Sequence, residues 1–281
     1  MKKRWLVLVL LCAAFVILIH GYIDMSMVCK RIVNGYAYSD SMRNLVLDEN
    51  DMRKMFFTAS DDSGIKHIVG LDENALQAAA RKMIYSSIGK KGRIPIIFNK
   101  CVPIRKYNKI CKVYQKIFKD VRYFPVAKDV NGKVETPYED SWNAKRTYGG
   151  DRNHEGTDIM AGNNTRGYFP VVSMTDGVVE NKGWLKLGGY RIGIRSKSGA
   201  YFYYAHLAGY ADGIEEGSVV KAGNVIGTMG DTGYSDIPGT TGNFDVHLHL
   251  GIYVNDGENE VSYNPFYILK ALENYRMEFV F

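Results

Sequence analysis

Histidine and aspartate residues in the second half of the chain have spacings that suit metal binding and acid–base chemistry. His154 precedes Asp158 by four positions, His247 and His249 are two positions apart, and His206 lies between the two motifs. Alternate residues of a β-strand project from the same face, so His247 and His249 are expected to point to one side together. Two imidazoles and one carboxylate form the ligand set of an open catalytic zinc site, which keeps a fourth position for water.

The His154–Asp158 motif needs a bend in the chain before it can bind one ion. A fully extended segment would hold the two residues about 13 Å apart. Neighbouring glycines argue against a helix, so we expect the bend at Glu155-Gly156, where glycine permits it. On the pattern alone, the alternative of unrelated core or surface groups stays open. No cysteine follows Cys111, which argues against a structural, cysteine-rich zinc site in this half.

Three motifs occur along the chain in a fixed order, namely His154-x-x-x-Asp158, Tyr203-Tyr204-Ala205-His206-Leu207 and His247-x-His249. In these motifs the chain resembles the lysostaphin-type (LytM-like) zinc metalloendopeptidases over roughly residues 124–270. The resemblance implies that His154, Asp158 and His249 bind one zinc ion. It also implies that His206 and His247 are catalytic histidines that do not bind the metal. Tyr148 matches a tyrosine that some family members use to steady the reacting oxyanion.

The implied function is hydrolysis of peptide bonds in bacterial peptidoglycan by zinc-activated water. Zinc would polarise the scissile carbonyl and lower the pKa of its water towards about 7. We expect His247 to be the base because it shares a strand with His249, and His206 is the other candidate. The alternative function is that of a catalytically inactive relative, which would act as an envelope scaffold or as an activator of another wall hydrolase. The presence of all five residues favours the enzyme.

The elements that must position these residues are short strands. Glycine-bounded β-rich runs predict a mainly β C-terminal domain of antiparallel sheets over residues 121–281. The predicted strands are 168–174, 178–181, 191–194, 200–204, 224–228 and 246–253, with a closing helix within 266–275. Asp176-Gly177 is expected to form a hairpin turn between the first two strands. The glycine-rich loop 230–243 is expected to be a wall of the substrate groove, or else a long surface turn.

The N-terminus predicts the compartment. Residues 1–4 are charged and residues 5–23 form an apolar run, which is typical of a transmembrane signal anchor with a cytoplasmic tail. We therefore expect a single-pass protein of the bacterial cell membrane whose C-terminal domain lies outside the cytoplasm. Secretion after cleavage of a signal peptide is the alternative.

Residues 24–120 are expected to form a basic, mainly helical juxtamembrane region. Helices are predicted over residues 40–58, 72–89 and 101–119. Residues 81–135 contain fifteen Lys and Arg against three Asp and Glu, which predicts contact with an anionic lipid or wall polymer, or a merely solvated basic face. Nucleic acid is not an expected partner of an exported segment. A disulfide between Cys101 and Cys111 is also a prediction for this region.

The composition of the whole chain agrees with a folded protein. Its 281 residues are 46% hydrophobic and 23% charged, which excludes a wholly disordered or fibrous chain.

Overall fold

The computed structural model describes residues 2–33, 40–60, 64, 66–87, 104–148, 150–255 and 259–281. Helix α1 comprises Lys2–Val33. Its segment Arg4–Ile23 has a mean hydropathy of 2.7 and exposed side chains, and among the described residues it is the one segment long and apolar enough to cross a membrane. A helix of this kind suits either a membrane anchor or a signal sequence.

The basic region before the β domain contains both helices and a hairpin. Its elements are α2 (Asp40–Arg43), α3 (Glu49–Arg53), β1 (Phe56–Ser60), β2 (Lys66–Leu71), α4 (Glu73–Ser87) and α5 (Ile104–Phe118). Strands β1 and β2 pair antiparallel. Helices α4 and α5 confirm two of the predicted helices within the described residues. Cys101 lies outside those residues, so its disulfide with Cys111 stays a prediction.

The prediction of one helix over residues 40–58 was wrong. Leu45 has a φ of 53°, a left-handed conformation that a continuous right-handed helix does not contain. The Asp48 carboxylate then accepts a hydrogen bond from the Asn50 N–H at 3.0 Å and starts α3, as a capping residue does. After α3 the chain enters strand β1.

The C-terminal part is mainly antiparallel sheet, as predicted. Its strands are β3 (Lys128–Asp129), β4 (Lys145–Arg146), β5 (Arg152–Asn153), β6 (Thr157–Met160), β7 (Pro170–Val172), β8 (Gly177–Leu185), β9 (Gly189–Ser196), β10 (Ala200–Tyr210), β11 (Val219–Val220), β12 (Val225–Met229), β13 (His247–Asn255), β14 (Glu260–Tyr263) and β15 (Glu278–Phe279). Helix α6 (Phe266–Leu272) follows β14 and confirms the predicted closing helix.

Nine of these strands form one sheet within the described residues. Starting from the edge strand β11, the order of the strands is β11, β8, β9, β10. Beyond β10 the sheet divides, because Ala200–Ala205 pairs with β13 whereas Leu207–Tyr210 pairs with β12. Strand β13 in turn pairs with β6 and β14. The chain therefore changes partners on β10 between Ala205 and Leu207.

The expected hairpin turn at Asp176-Gly177 was wrong. Strand β7 pairs with β12 and strand β8 pairs with β9 and β11, so β7 and β8 are not hairpin partners. The Asp176 carboxylate instead accepts hydrogen bonds from the Ala222 N–H at 3.0 Å and the Lys221 ammonium at 3.1 Å. This turn therefore links the start of β8 to the loop after β11.

The buried face of the sheet continues into the basic region. Phe202 and Tyr204 of β10 and Leu248 and Leu250 of β13 are fully buried in the core. The same hydrophobic cluster includes Tyr114 and other residues of α4 and α5. The opposite face of β10 and β13 is left for the candidate site.

Candidate active site

His154 and Asp158 lie on either side of the turn between β5 and β6. The chain bends at Glu155-Gly156, as predicted, but the glycine is required by close packing rather than by an unusual φ. A Cβ added to Gly156 would lie 2.6 Å from Cε1 of His249 and would also overlap the carbonyl of Leu250. The absent side chain thus lets the His249 ring approach the turn.

Strand pairing brings His249 to Asp158. The two residues are direct partners between β13 and β6, and His247 pairs with Met160 of the same strand. Leu248 is fully buried between the two histidines. The prediction that His247 and His249 share one face of a strand is therefore confirmed, and that face is the one that carries Asp158.

The atoms of three side chains converge on one point. Nε2 of His154 lies 3.0 Å from Oδ1 of Asp158 and 2.9 Å from Nδ1 of His249. Nδ1 of His249 lies 2.9 Å from the same Asp158 oxygen. Atoms separated by about 3 Å can all lie about 2 Å from a single ion. Within the described residues, these three side chains form the group that could hold a metal.

The charge of this group suits a cation. Nδ1 of His154 lies 3.0 Å from the backbone carbonyl of Ser141, which leaves Nε2 of the same ring facing the His249 nitrogen and the Asp158 carboxylate. Burial raises the pKa of Asp158, but hydrogen bonds with His154 and His249 outweigh it and hold that pKa well below its ordinary value. Two nitrogens and an ionised carboxylate fit zinc.

Arg146 of β4 holds the second oxygen of the Asp158 carboxylate. Its Nη2 donates to Oδ2 at 2.8 Å, and both side chains are partly buried. One carboxylate oxygen is therefore occupied by a guanidinium, while Oδ1 faces the histidines. Sequence reasoning missed this residue, because a pairing between β4 and β6 residues has no signal in local spacing.

His206 lies at the point where β10 changes partners. Its φ is 61°, and the register of β10 shifts around it. Simple alternation would place its side chain in the core with Tyr204. The irregularity instead turns His206 towards the cleft, where Nδ1 lies 2.8 Å from the carbonyl of Thr232. Bulges often redirect side chains in this way next to active sites.

His206 and His247 are neighbours beside the three candidate ligands. Their ring centroids are 4.7 Å apart. Nδ1 of His247 lies 2.7 Å from the carbonyl of Asp245, and its Nε2 lies 3.9 Å from Oδ1 of Asp158. Burial lowers the pKa of His206 well below its ordinary value, with a further contribution from His247 and His249. Burial also lowers the pKa of His249. The rings of His206 and His249 are therefore neutral near pH 7.

Tyr148 lies at the rim of the cleft rather than beside the three ligands. Its ring stacks on Tyr234 with centroids 4.2 Å apart and an interplanar angle of 15°. Its hydroxyl donates to the backbone carbonyl of Tyr234. Tyr234 belongs to the glycine-rich loop 230–243 and lines the cleft, which supports the prediction that this loop is a groove wall.

The site opens into a cleft of about 630 Å³. Its floor carries Tyr201 and Tyr203 of β10 and Tyr253 of β13. A glycine beside the Tyr253 ring leaves room for it, since a Cβ on Gly251 of the same strand would lie 2.7 Å from that ring. The floor thus extends the site across the sheet from β13 towards β9.

Comparison with known proteins places this fold and site in a family. Residues 152–265 match the protein family described as Peptidase family M23. A LytM-type structure from Ruminococcus gnavus, provisionally described as a glycyl-glycine endopeptidase, is 38% identical with a TM-score of 0.72. That match covers 90% of this chain and 98% of the other. The chain belongs to peptidase family M23, and the predicted resemblance is confirmed.

Two curated relatives are similar over shorter stretches. An L-Ala–D-Glu endopeptidase from Bacillus subtilis is 42% identical over 175 residues, which are 62% of this chain and 51% of that protein. Lysostaphin from Staphylococcus simulans is 33% identical over 120 residues, which are 42% of this chain and 22% of that protein. The chain thus spans about half the length of the first relative and less of the second.

Proposed function

We propose that this protein is a zinc-dependent endopeptidase that hydrolyses peptide bonds in bacterial peptidoglycan. The observation that carries the proposal is the convergence of His154, Asp158 and His249 on one point, with His206 and His247 beside them. A zinc ion held by the three ligands would supply a Lewis acid for the scissile carbonyl and a water of lowered pKa.

The chain's own residues then divide the proton transfers. Nδ1 of His247 donates to the Asp245 carbonyl, so a neutral His247 presents the lone pair of Nε2 to the attacking water. We assign to His247 the removal of that proton and its return to the leaving amine. His206 binds a proton poorly because burial lowers its pKa, and it accepts a hydrogen bond from the water. Tyr148 stays a candidate for steadying the oxyanion once it leaves the Tyr234 carbonyl.

The bond that we propose is the one between L-Ala and D-Glu in a peptidoglycan stem peptide. The support is the relative from Bacillus subtilis, whose name states that specificity and whose match extends over 175 residues. The glycyl-glycine bond is the competing candidate, because the Ruminococcus gnavus structure and a Staphylococcus capitis relative carry that description.

We also propose a membrane-anchored arrangement. Residues 5–23 would be the anchor with residues 1–4 in the cytoplasm, residues 24–120 the juxtamembrane region and residues 121–281 the peptidase domain. Lys112 of α5 and Lys119, just after its end, are exposed, which supports an anionic lipid or wall polymer as a partner of residues 81–135.

The direct test is hydrolysis of purified peptidoglycan by the full-length chain in detergent. We expect newly formed amino groups that disappear with a chelator and return with zinc. Release of L-Ala carboxyl and D-Glu amino termini would identify the bond, and release of glycine termini would select the competing one. If the zinc-bound protein releases nothing from any wall type, the scaffold function is favoured instead.

Substitution of the two neighbouring histidines separates the metal site from the proton transfer. His249→Ala should abolish both zinc binding and turnover. His247→Ala should keep the zinc and reduce kcat by about a hundredfold to ten-thousandfold, the usual effect of losing a general base. Loss of zinc from His247→Ala would contradict this division of roles.

A further inference from the structure

Arg191 occupies the far end of a row of residues that begins at the candidate metal ligands. Asp158 pairs with His249, and His249 pairs with Ala205. On the other side of β10, Tyr204 pairs with Ile192 and Leu207 with Tyr190, so that Arg191 lies opposite the irregularity at Ala205–His206. Adjacent strands are about 4.8 Å apart, so Arg191 is two strands, or about 10 Å, from His249.

The row faces the cleft. Residues that pair across an antiparallel sheet project from the same face, and His249, Arg191 and Asp158 all line the cleft. Ala205, which lies between them on β10, is fully buried, and Tyr203 of the same strand lines the cleft beside it. A substrate bound at the candidate metal ligands can therefore reach the guanidinium along the cleft.

The guanidinium of Arg191 lacks a counter-charge in the described part of the chain. Its Nη1 is buried and has no hydrogen-bond partner there. It lies close to Tyr201 and Tyr203: burial raises the pKa of both hydroxyls, and the Arg191 charge opposes that rise. The Arg191 side chain as a whole is only partly buried and lines the cleft, so its uncompensated charge can attract an anion carried by a ligand there.

The next arginine on the same strand shows the opposite situation. Arg195 lies on the same face of β9, and its guanidinium is bound by the Glu180 carboxylate at 2.6 Å and by Glu260 at 2.6 Å. Its charge is therefore already compensated. Of these two arginines on β9, Arg191 is therefore the one whose charge is available to a ligand.

We propose that Arg191 is a specificity residue that binds a free carboxylate on the leaving side of the scissile bond. This inference rests on the proposed function and narrows its substrate class. A D-Glu residue that continues the chain through its γ-carboxyl group carries such a carboxylate next to the leaving nitrogen. A glycine bridge carries none, and an isoglutamine has an uncharged amide in its place.

The experiment measures peptide binding separately from turnover. The full-length, zinc-loaded chain carrying His247→Ala, which should consume the peptide only slowly, is titrated with L-Ala-γ-D-Glu-L-Lys amide and with its D-isoglutamine counterpart. The C-terminal amide removes the second carboxylate of the probe. We expect the acid to bind at least about tenfold more tightly than the amide, as a charge-assisted pair allows, and Arg191→Gln to abolish this preference.

Two further variants make the result specific. Arg191→Lys keeps the charge but not the two-pronged geometry, so it should retain part of the preference. Arg195→Gln should keep the preference unchanged, because its guanidinium is bound by the protein's own carboxylates. Equal binding of acid and amide in the His247→Ala chain, or an equal loss for both in Arg191→Gln, would overturn the proposal. A clear acid preference without turnover by the unaltered chain would instead reject the proposed function and leave the role of Arg191 intact.

Discussion

Arg146 is the residue outside the five-residue motif that bears most directly on metal binding. It occupies one oxygen of the Asp158 carboxylate and leaves the other towards His154 and His249. Partners of this kind fix the orientation of a ligand and contribute to its affinity for the metal. Arg146 is therefore a positioning residue of the site.

Arg146→Gln should weaken zinc binding by about ten- to a hundredfold while the protein stays folded. Competition with a chromophoric chelator measures the affinity, and circular dichroism measures the fold. Lys145→Gln is the matched control, because the neighbouring lysine forms an exposed pair with Asp151 at 3.8 Å and does not reach the carboxylate. Equal zinc affinity in the Arg146→Gln and Lys145→Gln chains would exclude the positioning role.

The buried histidines predict how the stability of the metal-free chain depends on pH. Burial lowers the pKa of His206 and of His249 below the ordinary value of about 6.5. As the pH falls below about 6.5, the two histidines therefore bind protons in the unfolded chain before they do so in the folded chain. Stability is fully present above about pH 6.5 and falls as the pH drops from there towards the folded pKa values, by up to about 1.4 kcal/mol per pH unit for each histidine.

His206→Asn should flatten this dependence. Asparagine tolerates the left-handed φ of 61° at this position and does not titrate. Urea unfolding between pH 5 and pH 7, in the presence of a chelator, measures the slope. An unchanged slope in the variant would show that His206 is not one of the groups responsible.

At the scale of single residues, the sequence predicts which side chains belong to the site better than it predicts where they point. The shared face of His247 and His249 follows from spacing, since alternation on a strand is a property of the local backbone, whereas the choice of His154, Asp158 and His249 as ligands came from the resemblance to a family. His206 was found through a motif, but alternation along β10 would have directed it into the core beside Tyr204. Arg146 and Arg191 depend on pairings between distant strands, which no local pattern reports.

The β5–β6 turn is the element on which the candidate metal site depends most. It places His154 and Asp158 on either side of Gly156, and the His249 ring packs against that glycine from β13. Any side chain here must displace either the imidazole ring or the backbone of the neighbouring strand.

Gly156→Ala should therefore lose zinc binding and cost about 1–3 kcal/mol of stability, the usual range for overpacking. Gly209→Ala on β10 is the control, since a Cβ there meets no atom within 4 Å. Thermal unfolding with and without zinc distinguishes the two. A Gly156→Ala protein that gains as much stability from zinc as the unaltered protein would contradict the packing argument.

The elements themselves were predictable to different degrees. Most strands of the β domain were, because turns rich in glycine separate short apolar runs. The helix expected over residues 40–58 was interrupted by the left-handed Leu45, and its end became part of a hairpin. Asp176-Gly177 has the composition of a hairpin turn, yet its strands have other partners, because turn residues specify a local bend and not the pairing of the strands that follow.

For the molecule as a whole, the α1 helix predicts where the protein resides. The side chains of its apolar segment are exposed. We expect the intact chain in the membrane fraction of a bacterial host, resistant to high salt and released by detergent. Mass spectrometry should show residues 5–23 still attached. A shortened chain in the medium would indicate a cleaved signal sequence.

The pairing of β6, β13 and β10 has a consequence for folding. Asp158 and His249 are 91 residues apart in sequence, so the ion can be held only after one of the most distant strand contacts has closed, and such contacts form slowly. The time at which refolding protein binds zinc should therefore report when β6 and β13 have paired. A colour-changing chelator mixed with refolding protein would measure that time directly, without any label on the polypeptide.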